Sequence, residues 1–341
     1  MEKLYQILNK AIASKVTDIH LNPKYDDQSK DKNDSMYEII FRRSGEIYQF
    51  DVLTNVESIA IINHLKYECH LDVTNKHNAQ SGQMSLKLKN KQFNIRVSTL
   101  PLFFDCESIS IRILYDSEHD NKIEYYNQSQ FETLKKASLL KDGLIIISGP
   151  TGSGKTTLLY ELIEHVNSQW NRRILTIEDP VERHISGALQ VNLNDQAGIT
   201  YEESVKAFMR CDPDIILIGE IRDAKTAKEV VRASLSGHLV LTTIHAQNAT
   251  GVIHRMLEFG VGLNELTQSL TIINNQRLIR LADKKMTIIS EQLNFKNIKL
   301  DQIKHLNEIE TVTIHEQVKK MFLNKEILPE EYEAYVLDEV E

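Results

Sequence analysis

The segment Gly149-Pro150-Thr151-Gly152-Ser153-Gly154-Lys155-Thr156, followed by Thr157, constrains this chain more than any other feature. It has the spacing GxxxxGK[ST]. Glycines at its first, fourth and sixth positions let the backbone curl until several N–H groups converge on one point, which suits a phosphate. The lysine can then reach the β and γ phosphates of a nucleotide, and the Thr156 hydroxyl can ligate Mg2+. Such a loop belongs between a buried strand and a helix N-terminus, whose dipole is positive toward the anion. The sequence supplies both: Leu144-Ile145-Ile146-Ile147 comes before the loop, and Thr157-Leu158-Leu159-Tyr160 begins an amphipathic helix after it.

Three more short apolar runs follow, at Ile174 to Ile177, Ile215 to Ile218 and Leu239 to Leu241. Runs of this kind suit strands of a parallel sheet buried on both faces, which makes the fold class α/β. Each run leads into polar groups. The first meets Glu178-Asp179-Pro180-Val181-Glu182, the second Gly219-Glu220-Ile221-Arg222-Asp223, and the third Thr242-Thr243-Ile244-His245. Ligands in open α/β sheets sit at the carboxyl ends of strands, so these groups and the phosphate loop should converge. Glu178 or Glu220 could accept a proton from the attacking water or align it. A strand ending in an acid also suits a ligand that holds Mg2+ partly through water, which fits Glu220 together with Thr156. Asp179 has a plainer alternative, capping a turn before Pro180. Thr242, Thr243 and His245 read as a sensor of the γ phosphate. His238 lies seven positions before His245, on the opposite face of an ideal strand, which argues against a shared metal.

The first hundred or so residues follow a different pattern. Leu4, Leu8, Ala11 and Ile12 mark an amphipathic helix, and Asp18 to Leu21 reads as a short strand before Asn22-Pro23. Residues 24–35 are a polar loop. Hairpins are expected around Ser44-Gly45 and Lys89-Asn90, with a helix over Val56 to His70 and a strand over Ser108 to Leu114. Residues 115–128 are mostly polar, with Ile123 the only aliphatic residue. The expected division is an α+β N-terminal domain at 1–116, a linker at 117–128, and a second domain at 129–341. A length of 341 residues accommodates two domains.

The net charge of −8 argues against a protein whose main work is gripping nucleic acid, so no direct nucleic-acid binding is expected. Three widely spaced cysteines, Cys69, Cys106 and Cys211, support neither a disulfide framework nor a zinc site. Met1 to Val16 lacks the pattern of a signal peptide, and no apolar run reaches the length of a membrane span. A reducing, cytoplasmic setting is expected.

The blocks GPTGSGKTT, LTIEDPVE, DPDIILIGEIRD and GHLVLTTIHAQNA resemble, in this order, the Walker A, Asp box, Walker B and His box of the traffic ATPases of type II secretion and type IV pilus assembly. Thr17 to Leu21, Arg96 to Pro101 and Gln276-Arg277-Leu278-Ile279-Arg280 match the same family. The resemblance runs from about residue 4 to 280. It implies a RecA-like P-loop motor domain preceded by a small PAS-like α+β domain, assembled as a homo-hexamer. It implies ATP and Mg2+ as cofactors, Glu178 as general base and Glu220 as the metal-linked acid. Arg96 and Arg112 would reach the nucleotide from the N-terminal domain. Asp179, Glu182, Arg222, Asp223 and His238, with His245, would link nucleotide state to the rest of the ring. The implied partner is a polytopic membrane platform protein, with the chain resting peripherally on the inner face of the cell membrane.

Several departures narrow the resemblance. The extra N-terminal domain and the tetracysteine zinc module of the large Gram-negative members have no counterpart, so no zinc is expected. Lys206 stands where many relatives carry arginine. The AIRNLIR-type stretch of retraction motors is not found. These features resemble the competence branch of Gram-positive bacteria, which drives a pseudopilus for DNA uptake. A RecA-like nucleic-acid motor is the alternative from another class. It would need basic, aromatic-bearing loops. A non-catalytic nucleotide switch is a third reading. It would be expected to lose Lys155 or an acid, and all are present. Residues 282–341 are read as two helices and an acidic end, with no assigned task.

Overall fold

The computed structural model describes residues 2–24, 36–43, 46–88, 91–103, 106–114, 124–194, 197–295 and 311–337. The polar loop at 25–35, the turns at 44–45 and 89–90, the linker residues 117–123 and the acidic end at 338–341 lie outside them. The chain divides into two compact units, Met1–Asp120 and Asn121–Glu341.

The first unit opens with α1 (Glu2–Ala13) and β1 (Asp18–Lys24). The strands β2 (Met36–Arg43) and β3 (Glu46–Thr54) lead to α2 (Asn55–Glu68), and β4 (Gln80–Leu88), β5 (Lys91–Pro101) and β6 (Glu107–Leu114) complete it. They form one six-stranded sheet in the order β3-β2-β1-β6-β5-β4, with every pairing antiparallel. Alternation along the strands separates two faces. Ile19, Leu21, Ile39, Phe41, Ile95, Val97, Ile109 and Ile111 share one core with Leu4, Ile7, Leu8 and Ala11 of α1 and Ile61, Ile62 and Leu65 of α2. Ile12, expected in the α1 stripe, is only partly buried, and Ile7 takes its place. A capping box between Thr54 and Glu57 starts α2.

Among the described residues, one ion pair lies buried inside this unit. Lys66 Nζ is 2.6 Å from Glu107 Oε1, with the side chains 0% and 3% exposed, and it also donates to the Asn75 carbonyl at 2.8 Å. The pair ties α2 to β6 and fixes the turn at residue 75.

In the second unit β7 (Glu124–Tyr125) and α3 (Gln128–Ser138) come first. Then follow β8 (Gly143–Ser148), α4 (Lys155–Gln169), β9 (Ile174–Glu178), β10 (Ala188–Asn192), α5 (Tyr201–Phe208), β11 (Ile215–Ile218), α6 (Ala224–Leu235) and β12 (Leu239–Ile244). After α7 (Ala249–Glu258) and α8 (Leu263–Ser269) come β13 (Leu270–Arg280), β14 (Met286–Asn294), α9 (Ile314–Leu323) and α10 (Pro329–Leu337). The eight-stranded sheet has the order β10-β9-β11-β12-β8-β13-β14-β7. Its strands from β10 to β13 are parallel, and β14 runs antiparallel to β13. Glu124–Tyr125, inside the segment read as linker, pairs with β14 at the sheet edge.

Residue alternation assigns the helices to the two faces. Leu144, Ile146, Ile216, Ile218 and Val240 pack with α5, α6, α7 and α8. Ile145, Ile147, Ile215, Leu217, Leu239 and Leu241 pack with α3 and α4. Burial on both faces explains why these strands read as continuous apolar runs. Strand β14 lies within residues 282–341, which were read as two helices and an acidic end, and it pairs with β13 just before that stretch. There Ile279 and Ile289 pack against Ile314, Val318 and Met321 of α9.

Glu107→Gln leaves the buried Lys66 ammonium without its counter-charge, a change that costs about 3–5 kcal/mol. Hydrogen exchange followed by mass spectrometry is expected to speed up in peptides from α2 and β6 and to stay unchanged in peptides from α4.

Candidate nucleotide site

Backbone geometry shapes the phosphate loop before any side chain does. After β8 the chain turns at Gly149, with φ of +140°, and Gly152 and Gly154 follow at +81° and +85°. A Cβ on Gly149 would lie 2.4 Å from the Gln276 carbonyl oxygen, so β13 backs directly onto the loop and only glycine fits. Gly154 is the N-cap of α4 and contributes no capping side chain. The first N–H groups of α4 therefore have no side-chain partner at the cap and face an anion-sized space. Lys155 Nζ donates to the carbonyls of Gly149 at 2.9 Å and Pro150 at 2.8 Å. Burial holds its pKa below the usual lysine range, opposed by the charge of Glu220.

The neighbouring strand ends bring carboxylates to the same place. Glu178, the last residue of β9, is 3% exposed. The Tyr160 hydroxyl donates to its Oε2. Thr176 donates to its Oε1 at 2.6 Å, as does Gln190 at 3.4 Å. Glu220, just beyond β11, accepts from the Arg222 guanidinium and lies 3.9 Å from His245 Nε2. Arg222 also binds Asp179 at 3.0 Å, and its pKa is raised, chiefly by the hydrogen bond to Glu220. The Thr243 hydroxyl donates to the Gly219 carbonyl at 2.7 Å, joining β12 to the end of β11.

These groups line one cavity of about 620 Å3, open to Thr151, Gly152, Gly154, Lys155, Thr156 and Thr157 along the loop. Opposite lie Glu178, Asp179, Glu182, Glu220, Arg222, Thr243 and His245. Its volume suits a nucleotide-sized ligand. The Thr156 hydroxyl and the Glu220 carboxylate are hard oxygen donors on its wall, the donor type that Mg2+ takes alongside phosphate oxygens and water.

Not every residue singled out from sequence meets there. His238 sits at the other end of β12, where its Nδ1 bonds the Ala233 carbonyl at 3.0 Å, beside Lys206, Arg210 and Arg232. Asp223 caps α6 by accepting the Thr226 N–H at 2.8 Å. Arg96 and Arg112 belong to the first unit. They are directly paired in the register of β5 and β6, and Arg112 pairs in turn with Asp18, as does Arg42. Two guanidinium groups facing each other repel. Asp18 offsets this by binding Arg112 Nε at 2.7 Å, while Arg96 Nε donates to Ser81 Oγ at 3.2 Å. Burial acts to raise the Asp18 pKa, but the hydrogen bonds and charge of Arg112, with Thr17, bring it below the ordinary carboxylate range. The Arg112 side chain remains 64% exposed.

Sequence reasoning missed the support behind the loop. Gln276 Nε2 donates to the Ser153 carbonyl at 2.7 Å, and Asn275 Nδ2 donates to Ser148 Oγ at 2.8 Å and the Ala246 carbonyl at 3.1 Å. Arg277 reaches the Gln247 carbonyl at 2.8 Å and Asn275 Oδ1 at 3.0 Å. Strand β13 thereby joins the phosphate loop to the segment after His245. The motif Gln276 to Arg280 was the available signal, but nothing in its composition states a task.

The family of the Type II/IV secretion system protein matches residues 1–327. This chain belongs to that family. It is 39% identical over 280 residues to competence protein ComGA of Bacillus subtilis, covering 81% of this chain and 75% of that protein. It is 34% identical over 283 residues to type II secretion system protein E of Pseudomonas aeruginosa, covering 81% of this chain and 53% of that one. Among solved structures, the Legionella pneumophila ATPase DotB matches with a TM-score of 0.71 at 19% identity, over 98% of this chain and 95% of that chain. The pilus retraction motor PilT with bound ADP matches with a TM-score of 0.70 at 23% identity, over 96% and 95%. These two likenesses speak for the fold, which is the α/β fold expected from sequence. The chain is an ATPase of the secretion and pilus-assembly family. Among the described residues no helix is long and apolar enough to cross a membrane.

Gln276→Ala removes a buried donor from the Ser153 carbonyl, worth about 1–3 kcal/mol, or roughly fivefold to 150-fold in an equilibrium. A fluorescent ATP analogue is expected to bind this variant more weakly by about fivefold or more, by that same loss of loop support. A Gly149→Ala variant should show no binding in the same titration.

Proposed function

We propose that this chain hydrolyses ATP with Mg2+ and, as a homo-hexameric ring, drives assembly of a type IV-like competence pseudopilus used in DNA uptake. The observation that carries the reading is the single cavity in which Lys155, Glu178 and Glu220 converge from three strand ends. The similarity to a competence protein of Bacillus subtilis supports the choice of machine.

In this mechanism the N–H groups of the loop and α4 hold the phosphates, with Lys155 between the β and γ groups. Thr156 and, through water, Glu220 would hold Mg2+, which would supply positive charge to those phosphates. Glu178 takes a proton from water as the water oxygen bonds to the γ phosphorus. The bond from that phosphorus to the bridging oxygen breaks, giving ADP and phosphate. Thr243 and His245 lie where loss of the γ phosphate would be felt. Arg96 and Arg112 supply positive charge from the first unit, a contribution that can reach roughly 10³–10⁵ in rate in phosphoryl transfer. The output is motion passed to a polytopic membrane platform protein by a cytoplasmic ring peripheral to the membrane. Direct contact with nucleic acid plays no part in it.

The test is ATP turnover by the purified chain, with mass from light scattering, with and without DNA. Turnover should be independent of DNA, vanish in Lys155→Ala, and come from a particle of about six subunits, the ring expected of a closed cyclic assembly. Glu178→Gln should keep ATP affinity while slowing cleavage by about 10²–10⁴, the range for loss of a general base. Monomers with DNA-stimulated turnover would replace this reading with the nucleic-acid motor.

A further inference from the structure

Tyr160 lies five residues beyond Lys155 on α4, and its side chain is 3% exposed. Its hydroxyl is surrounded on three sides. The backbone N–H of Glu182 points at the oxygen from 3.1 Å and that of Arg183 from 3.4 Å, and Glu178 Oε2 lies against it. A phenol has one proton and can accept two hydrogen bonds. With N–H donors on the accepting side, that proton has one destination, Glu178. The ring is fixed as well. The Arg183 guanidinium lies over it at 5.2 Å and pairs with Glu164 at 2.8 Å, so the ring is held from α4 and from the segment after β9.

The bonds to Glu178 are unequal. A carboxylate offers about two acceptor positions on each oxygen. Oε1 uses both, for Thr176 and Gln190, whereas Oε2 uses one, for Tyr160. Oε2 is therefore the oxygen with room for a proton. We infer that Tyr160 is a positioning residue for ATP cleavage, whose hydroxyl aims the Glu178 carboxylate so that Oε2 receives the proton of the attacking water. The inference rests on Glu178 acting as the base. No bond beyond those of hydrolysis is made or broken, and Tyr160 keeps its own proton throughout. Burial, followed by the charge of Glu178, pushes the Tyr160 pKa well above the ordinary phenol value, so the hydroxyl remains a donor across the working range.

Other charged groups line the cavity beside Glu178. Asp179 is its chain neighbour, and Glu220 and Arg222 approach from the end of β11. Tyr201 on α5 feels Glu178, Asp179, Glu220 and Arg222 alike. The Tyr160 oxygen bonds Glu178 and the N–H groups of Glu182 and Arg183 rather than these charges, and of its three bonds the one to Glu178 alone touches the base, so a change in the pH profile on its deletion is traced to that bond.

The experiment is single-turnover ATP cleavage by the full chain from about pH 5 to about pH 9, where loss of an ionised base appears as the acid limb. A donor to a carboxylate favours its charged form. Tyr160→Phe should therefore move the acid limb upward by about one unit, the equivalent of a tenfold change in protonation. Affinity for a fluorescent ATP analogue should stay within about twofold, since the hydroxyl touches no phosphate site. A fluorinated tyrosine at 160, of nearly the same shape and a stronger donor, should move the limb downward, and it carries the test alone if Tyr160→Phe does not fold. In a Glu178→Gln background the Phe substitution should have no further effect on cleavage. An unmoved limb in the Phe or fluorinated form, with Glu178→Gln inactive, overturns this inference and leaves the base in place. Full cleavage by Glu178→Gln overturns the reading on which the inference rests.

Discussion

The close approach of Gly149 to the backbone of Gln276 is the contact on which the rest of the site depends. A strand can deliver a phosphate loop only if the chain leaves the sheet sharply, and here it leaves at a residue with φ of +140° against the carbonyl of the neighbouring strand. Everything downstream inherits its position from that turn. Gly154 begins α4 in register with the cavity, Lys155 is set at its mouth, and Tyr160 arrives one and a half turns later against Glu178. Strand β13 is therefore a wall of the site, and its polar side chains bond the main chain there. Its amide and guanidinium groups bind the main chain on both sides of the cavity.

The parallel sheet could be read from sequence because burial on both faces leaves no room for polar alternation. Ile145 and Ile147 face α3 and α4, while Leu144 and Ile146 face the other layer, and all four are apolar for the same reason. The convergence of Glu178, Glu220 and His245 was legible because each ends or follows a strand of that sheet. β10 was not legible, since an edge strand carrying Gln190 and Asn192 lacks an apolar run. β13 and β14 escaped because Asn274, Asn275, Gln276 and Glu291 are buried polar residues whose partners lie far away in sequence. Pattern alone cannot distinguish a satisfied interior amide from an exposed one. Tyr160 was hidden for a similar reason: on a helix periodicity it is one more large residue facing the core, and its hydroxyl has meaning only once β9 is beside it.

The first unit illustrates another limit. Alternation revealed its strands, but not the row formed by Arg42, Asp18, Arg112 and Arg96 across four adjacent strands. Register creates that row. Asp18 stands between Arg42 and Arg112 in that row, and the hydrogen bond and charge of Arg112 hold its pKa down against the effect of burial. On the other face of the sheet β6 places Glu107 against the buried Lys66 of α2, so an ion pair lies inside the unit and the row of arginines lies outside it.

Strand β12 has a mechanical meaning. It is buried along all six residues and hydrogen-bonded to β11 and β8 on either side, so it cannot stretch or slip without breaking a ladder. His238 precedes it and His245 follows it, which sets them roughly 20 Å apart at about 3.3 Å per residue. Such a strand acts as a stiff rod. Charge at the phosphate end is too distant to be felt directly at the other through a screening solvent. What can reach His238 is tilt, and a probe placed there would register the attitude of the sheet, as the far tip of a lever registers the angle of its fulcrum.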